Sequence, residues 1–312
     1  MDATTSRVTA LKDVIRPTTV IESPRVSKRL GVEVTFASET FQYTGSFKFR
    51  AAYNLASGIA EREIITASSG NFGQAMAYAC ALLGKECTIV MPATSAQVKV
   101  DAVREYGGKV DLIDVRVKSR SGRVEELAAE NPAAYTASAY DDDLVIQGNA
   151  SLGDELCALN RGFDFIVAPV GGGGLTSGII TGVRRSGKDT KVIGAEPLLA
   201  NDAARSLRAG YLIRNEVEQQ TIADGARTIS LGDRNWAILR EGLSGIVEAP
   251  EDTIKEAVRT LFYLANIKAE PTGALSLAAI MSQPERFRGA SVCCVISGGN
   301  VDLEVYRTIL AG

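Results

Sequence analysis

Seven short apolar runs punctuate this chain, at residues 32–37, 64–67, 87–91, 110–113, 165–170, 192–195 and 292–296. Such runs are too short for a buried helix and suit strands covered on both faces. Most are separated by stretches in which apolar residues recur every three or four positions, at 71–83, 95–106, 123–129, 144–159, 176–185 and 253–265. Strands alternating with helices predict an α/β fold built on parallel sheet. Ahead of them an amphipathic helix is expected over 6–15, stopped by Pro17, and a second from Ser23-Pro24 to Gly31. No fixed-period repeat or low-complexity segment interrupts the pattern. The weakest composition break is 131–143, with Pro132 and three consecutive aspartates. A segment of about 60–138 is a candidate for a smaller α/β unit inserted in a larger one.

The segment between the first apolar run and the next helix reads Tyr-Thr-Gly-Ser-Phe-Lys-Phe-Arg, residues 43–50. It is expected to open a helix that continues to about Ile59, with Lys48 in the first turn between Phe47 and Phe49. A surface lysine is the ordinary reading of one such position. Against it, lysine is a poor choice at the positive end of a helix dipole. Flanking aromatics also imply burial, which lowers an amine's pKa and makes it a nucleophile toward carbonyl carbon.

In open α/β sheets, ligands gather beyond the carboxyl ends of the strands. Three strand ends here share a pattern. One runs into Ser68-Ser69-Gly70-Asn71-Phe72, one into Gly171-Gly172-Gly173-Gly174, and one into Ser297-Gly298-Gly299-Asn300. Each offers backbone N–H groups at a helix start, the geometry that binds anions. Four successive glycines are costly to order, and a tight turn needs only one or two. A phosphate cradle explains them better. A dinucleotide does not fit, because Thr176 and Ser177 fall where the fingerprint needs its last glycine, and Leu175 falls third in the remaining frame. The 68–72 loop suits a substrate carboxylate, although any one of its residues is equally well an ordinary helix cap. Asp224-Gly225 and Glu270-Pro271 read locally as turns. A reactive lysine, a phosphate cradle, a carboxylate pocket and a polar serine are together what pyridoxal phosphate chemistry needs.

Composition narrows the rest. The 312 residues are 46% hydrophobic, enough for a sizeable core, and the net charge of −3 leaves no electrostatic footprint for nucleic acid or anionic lipid. Five scattered cysteines argue against a disulfide framework, and a polar start with no long apolar run argues against secretion or a membrane span. A cytoplasmic setting is expected. The chain has no histidine, so acid–base work falls to Lys, Ser, Tyr, Cys or carboxylates, and histidine-dependent triads are excluded.

With those motifs in view, the chain resembles the fold-type II pyridoxal-phosphate enzymes, in particular the serine/threonine dehydratase and serine racemase branch. The resemblance runs from Ile15 to Asn300, with six motifs in the family's order. It implies two open parallel-sheet α/β domains, similar to tryptophan synthase β, with the cofactor between them: a large one made from 1–59 and 139–312 and a small one of about 60–138. Lys48 corresponds to the lysine that holds the cofactor, with Phe47 beside it. Ser68, Ser69, Gly70, Asn71 and Phe72 correspond to the carboxylate-binding loop, whose asparagine also meets the cofactor's 3′-oxygen. Gly171, Gly172, Gly173 and Gly174 correspond to the phosphate cradle, and Ser297 to the serine at the pyridine nitrogen. Gly225 and Glu270 lie in two further motifs, 221–225 and 270–274, that border the cofactor in the family.

Ser69 matches the serine that racemase-type members use as second acid/base. Glu196, Ala200 and Asp202 resemble the racemase-type cation site, in which two carboxylates and a main-chain carbonyl suit Mg²⁺ or Ca²⁺; a helix start with acidic residues is the alternative. Phe72 departs from the family, which commonly has histidine there, and leaves the substrate open. No regulatory domain is expected after Asn300. The leading expectation is β-elimination of water from L-threonine, L-serine or 3-hydroxyaspartate, giving a 2-keto acid and ammonia. Serine- or aspartate-type racemisation, β-replacement of the cysteine synthase type, and cofactor binding without turnover are the alternatives. Arg50, Arg227 and Tyr140 are candidates to reach a substrate side chain, and a structural role is the equal alternative for each. Family habit implies a homodimer acting on a small amino acid.

Overall fold

The computed structural model describes residues 10–95 and 97–312. Ten strands are present among them: β1 (Thr19–Glu22), β2 (Glu33–Ser38), β3 (Glu63–Ala67), β4 (Glu86–Pro92), β5 (Lys109–Ile113), β6 (Tyr135–Ala137), β7 (Phe165–Pro169), β8 (Lys191–Pro197), β9 (Leu243–Ala249) and β10 (Ser291–Ile296). Helices α1 (Leu11–Val14), α2 (Pro24–Leu30) and α3 (Lys48–Gly58) accompany the first strands. Helices α4 (Asn71–Leu83), α5 (Gln97–Glu105) and α6 (Arg120–Glu130) follow β3, β4 and β5. The remainder carries α7 (Asp143–Ala158), α8 (Gly174–Ser186), α9 (Asp202–Ala209), α10 (Asp233–Gly242), α11 (Glu251–Ala265), α12 (Pro271–Ser282) and α13 (Leu303–Ala311). The helix expected over 6–15 is seen as α1; residues 6–9 lie outside the described residues.

The strands form two sheets. Six lie in the order β1-β2-β10-β7-β8-β9, all parallel except β1, and four lie in the order β5-β4-β3-β6, all parallel. The period of two in β10 shows how the larger sheet is covered. Val292, Cys294 and Ile296 face a core that includes α11 and α12, whereas Cys293 and Val295 face one that includes α7 and α8. The adjacent cysteines therefore point to opposite faces. All five cysteines are buried and unpaired.

Three strands and several helices, α10 and the buried α12 among them, depart from the expected pattern. β1 is a half-exposed antiparallel edge, and β6 is only three residues long. β9 reads Leu-Ser-Gly-Ile-Val-Glu-Ala, with Gly245 at φ 139°, so no apolar run marks it. Glu270-Pro271 is more than a turn: Pro271 opens α12, whose residues 271–280 are all buried. A helix packed on every side has no polar stripe and hence no readable period. The consecutive aspartates at the composition break also find local roles. Asp142 caps α7 and accepts from the Tyr135 hydroxyl, while Asp141 accepts from the first backbone N–H groups of α10.

α7 and α8 touch through their backbones. A Cβ on Gly178 would lie 2.5 Å from the Asn149 side chain, and one on Gly182 would lie 2.7 Å from the Asp154 nitrogen. This close pairing carries α8 to the end of β7, where the glycine run stands.

Candidate active site

The site begins with the turn that delivers Lys48. Between β2 and α3, Thr44 and Gly45 both take left-handed conformations (φ 59° and 72°). The end of β10 then captures the chain: Phe47 donates its N–H to the Ser297 carbonyl at 3.0 Å, and Ser46 bridges Gly298. α3 starts at Lys48. The residue is half-buried, but its amine is enclosed by protein. Nζ donates to the main-chain carbonyl of Ala139 at 2.8 Å and lies 5.1 and 5.5 Å from the ring centres of Phe47 and Phe72. Burial lowers its pKa from 10.5 to about 8, with the nearby charge of Glu270 working in the opposite direction.

β3 delivers the second segment. Ser68 is spent largely on local structure, since its hydroxyl accepts from the N–H groups of Gly70 and Gly73 at the start of α4. For this residue the helix-cap reading holds. Ser69 and Gly70 follow, half-buried, and Asn71 begins α4. The Asn71 amide donates to Glu270 Oε1 at 2.8 Å and accepts from Asn300 at 2.8 Å. Phe72 is buried in the core between α3, α4 and the four-stranded sheet, within reach of the Lys48 amine.

Beyond β7 the glycines Gly171, Gly172, Gly173 and Gly174 lead into α8. Gly173 sits at φ 94°, and a Cβ on Gly172 would fall 2.3 Å from the Tyr140 ring. The first-turn N–H groups of α8 have no partners within the helix. The turn at Gly225 comes alongside: a Cβ on Gly171 would lie 2.9 Å from the Gly225 carbonyl, and the Gly225 N–H donates to Thr272 Oγ1 at 2.9 Å. Ser297, at the end of β10, is buried, as is Glu270 at the start of α12. Burial, assisted by the charge of Asp224, raises the Glu270 carboxyl from 4.5 to about 8.

The structure thus sets the Lys48 amine against the rings of Phe47 and Phe72, joins Asn71 to Glu270 within electrostatic reach of that amine, and sets the glycine run against Tyr140 and Gly225. Arg50, Arg227 and the residues of the expected cation site have other surroundings. Arg50 is fully buried, bonded to Glu39 at 2.7 Å and Glu155 at 2.7 Å. Arg50 is therefore not free to reach a substrate. Arg227 donates Nε to the Thr221 carbonyl at 2.8 Å. Glu196 stands near the end of β8, with Ala200 and Asp202 just beyond that strand. Glu196 accepts from the N–H groups of Ala203 and Ala204 at 2.8 Å each, and Asp202 Oδ2 is buried without a partner. Burial raises both carboxyls, Asp202 to about 6. Among the described residues, no group of three His, Cys, Asp or Glu side chains is placed to hold a metal.

Two contributors carry no assignment from sequence. The Ala139 carbonyl is a main-chain group with no side-chain signal. Asn300 stands in a segment marked by its place at a strand end, but there the resemblance gives a role only to Ser297.

Comparison with known proteins gives the family of the chain. Residues 11–298 match the family described as pyridoxal-phosphate dependent enzyme. The β-hydroxyaspartate dehydratase of Paracoccus denitrificans is 36% identical over 298 residues, covering 94% of this chain and 94% of that protein. The serine racemase of Schizosaccharomyces pombe is 34% identical over 307 residues, 96% of this chain and 94% of that one. The crystal structure of a threonine deaminase from T.th. superposes with a TM-score of 0.89 at 37% identity, covering 94% of this chain and 96% of its own. The chain therefore belongs to the pyridoxal-phosphate dependent enzymes of fold type II.

Proposed function

We propose that this enzyme removes water from a β-hydroxy-α-amino acid, 3-hydroxyaspartate foremost, and releases a 2-keto acid and ammonia. The observation that carries the reading is the enclosed Lys48 amine, which is depressed to about 8 and whose hydrogen bond goes to a main-chain carbonyl rather than a carboxylate. The surrounding residues fit pyridoxal phosphate: the glycine run leaves a cradle at the start of α8 where a Cβ would collide with Tyr140. In this reading, 60–138 is the small domain and 1–59 with 139–312 the large one, the four-stranded sheet supporting that division.

Bound pyridoxal phosphate supplies the electron sink that lets the Cα–H and Cβ–O bonds break. The N–H groups of Gly171, Gly172, Gly173 and Gly174, with Gly225, would hold its phosphate at a helix N-terminus. Phe47 and Glu270 would border it, Asn71 would donate to its phenolic oxygen and Ser297 would bond its ring nitrogen. Lys48 would hold the cofactor, and its free amine would take the α-proton, a task suited to a pKa near neutrality. Ser69, Gly70 and Asn71 receive the substrate α-carboxylate at the start of α4, on a loop that Ser68 holds through its bonds to Gly70 and Gly73, and Phe72 closes that wall against water. What supports a substrate with a second carboxylate is the dehydratase relative, which is named for such a substrate; Lys99, Arg120 and Arg214 are each already paired, with Asp224, Glu218 and Asp233.

The test is keto-acid release from L-serine, L-threonine and the 3-hydroxyaspartates by the loaded enzyme. Release from a 3-hydroxyaspartate at the highest kcat/KM supports the proposal, and none from any of these substrates sinks it. Racemisation is the second reading, favoured by Ser69 and by the serine racemase relatives. Ser69→Ala is expected to lose D-isomer formation, by about 10²-fold or more, while keeping keto-acid release. Equal loss of both products would remove Ser69 from the racemase role. β-Replacement and binding without turnover have no observation in their favour.

We further propose that Mg²⁺ or Ca²⁺ binds between Glu196, the Ala200 carbonyl and Asp202. The partnerless Asp202 oxygen and the two raised carboxyls support it, because a cation would offset the repulsion of two buried charges. A cation at 100 times its Kd would stabilise the protein by about 2.7 kcal/mol. The unfolding midpoint should rise with either ion at pH 7.5, respond less below pH 6 as Asp202 protonates, and not respond in Asp202→Asn. An identical midpoint in chelator and in millimolar Ca²⁺ would refute the site. The buried free thiols suit a reducing, cytoplasmic setting, and a homodimer is expected; no helix among the described residues is long and apolar enough to cross a membrane.

A further inference from the structure

Asn300 joins four segments that are far apart in sequence. Its Nδ2 donates to the Thr44 carbonyl at 2.7 Å and to Asn71 Oδ1 at 2.8 Å, and Asn71 Nδ2 in turn donates to Glu270 Oε1 at 2.8 Å. The direction of this chain is forced from one end. A main-chain carbonyl can only accept, so Asn300 must turn its NH₂ group toward Thr44. The second hydrogen of that NH₂ then meets Asn71, which must answer with its oxygen. The Asn71 NH₂ group is left facing Glu270, a carboxyl that accepts on Oε1. No member can flip its amide alone without placing oxygen against oxygen or hydrogen against hydrogen.

The same side chain supports the lysine turn. Thr44 is one of two non-glycine residues at positive φ among those described. Left-handed backbone costs a non-glycine residue about 1 kcal/mol and persists only where neighbours over-determine it. Here the Thr44 carbonyl is held by Asn300, and the Gly45 carbonyl by the Gly299 N–H at 3.0 Å. The Asn300 amide also lies against the bare α-carbon of Gly45, where a Cβ would come 2.4 Å from Oδ1. Lys48 leaves this turn three residues later.

We propose that Asn300 is a positioning residue: it sets the Lys48 turn and fixes the polarity of the Asn71 amide, so that Asn71 presents N–H, never oxygen, to Glu270 and to the group that Lys48 holds. The inference rests on the reading of Lys48 and Asn71 as cofactor contacts. Asn300→Asp keeps the shape but removes both donors and sets a carboxylate against the Thr44 carbonyl. Asn71 then has to turn its NH₂ toward residue 300 and its oxygen toward Glu270. Asn300→Ala removes the bridge without burying charge.

The experiment loads both variants with pyridoxal phosphate and compares them with wild type by cofactor content, by the visible absorption band in the absence of substrate, and by kcat and KM. The expected result is full cofactor content, a displaced band in Asn300→Asp, and kcat lowered about 10- to 100-fold in both variants with KM changed less than threefold, the scale seen when an outer-shell partner is removed. A wild-type band and kcat in both variants would overturn the proposal. So would variants that fail to fold or that lose activity only in proportion to lost cofactor, since Asn300 would then be a structural clamp alone. The band is read without substrate, so a wild-type enzyme silent toward every hydroxy amino acid would defeat the dehydratase reading and leave this one testable on its own signal.

Discussion

Lys48→Ala is expected to lower kcat for keto-acid release by about 10³-fold or more, because under the proposed function it would remove both the anchor of the cofactor and the base that takes the α-proton. The same change should stabilise the cofactor-free protein. The amine's pKa falls from 10.5 in the unfolded chain to about 8 in the fold. Below pH 8 both states carry the proton, and the folded one bears the full cost of an enclosed charge, on the order of 3 kcal/mol. Between about pH 8 and 10.5 the unfolded state binds more protons than the folded one, so wild-type stability rises through that window. Above it the cost is gone. Urea unfolding of cofactor-free wild type and Lys48→Ala at pH 7 and pH 10.5 should show the variant ahead at pH 7 and the gap narrowing on the alkaline side. A gap independent of pH would remove the enclosed charge as its cause, and a variant with wild-type turnover would end the catalytic assignment.

Arg50→Met should produce the largest loss of stability, about 3–5 kcal/mol. Arg50 and Glu39 are both wholly buried and 2.7 Å apart, and the same guanidinium reaches Glu155 and Thr18. Removing it strands the Glu39 carboxylate in the core, where an unpaired charge is costly. Burial works to raise Glu155, but the bonds and charge of Arg50 outweigh it and hold that carboxyl below its usual range. Its contribution is therefore present at neutral pH and is lost as the pH falls through the depressed value. Denaturant unfolding at pH 7 measures the loss, and Arg50→Met combined with Glu39→Leu should recover part of it by leaving no buried charge behind. Destabilisation under 1 kcal/mol in the single variant, with a raised KM instead, would return Arg50 to the list of substrate contacts.

What could be read without coordinates was local. The α/β class, the strand ends that carry chemistry, the glycine run and the lysine turn all follow from residues within a few positions of one another, where hydrophobic period and turn chemistry act. Phe47 and Phe49 beside Lys48 already implied an enclosed amine. α12 was invisible for the opposite reason: packed on every side, it shows no contrast between faces. Arg50 read as a candidate substrate contact because nothing near it in the chain announces its partners; Glu155 lies 105 positions away. Asn71 meets Glu270 and Asn300 across 199 and 229 positions. Sequence alone determined which residue types stand at the strand ends. Only the tertiary structure decided which of them meet, because strand order and the packing of helices on two sheets bring distant groups together, and no short stretch encodes either.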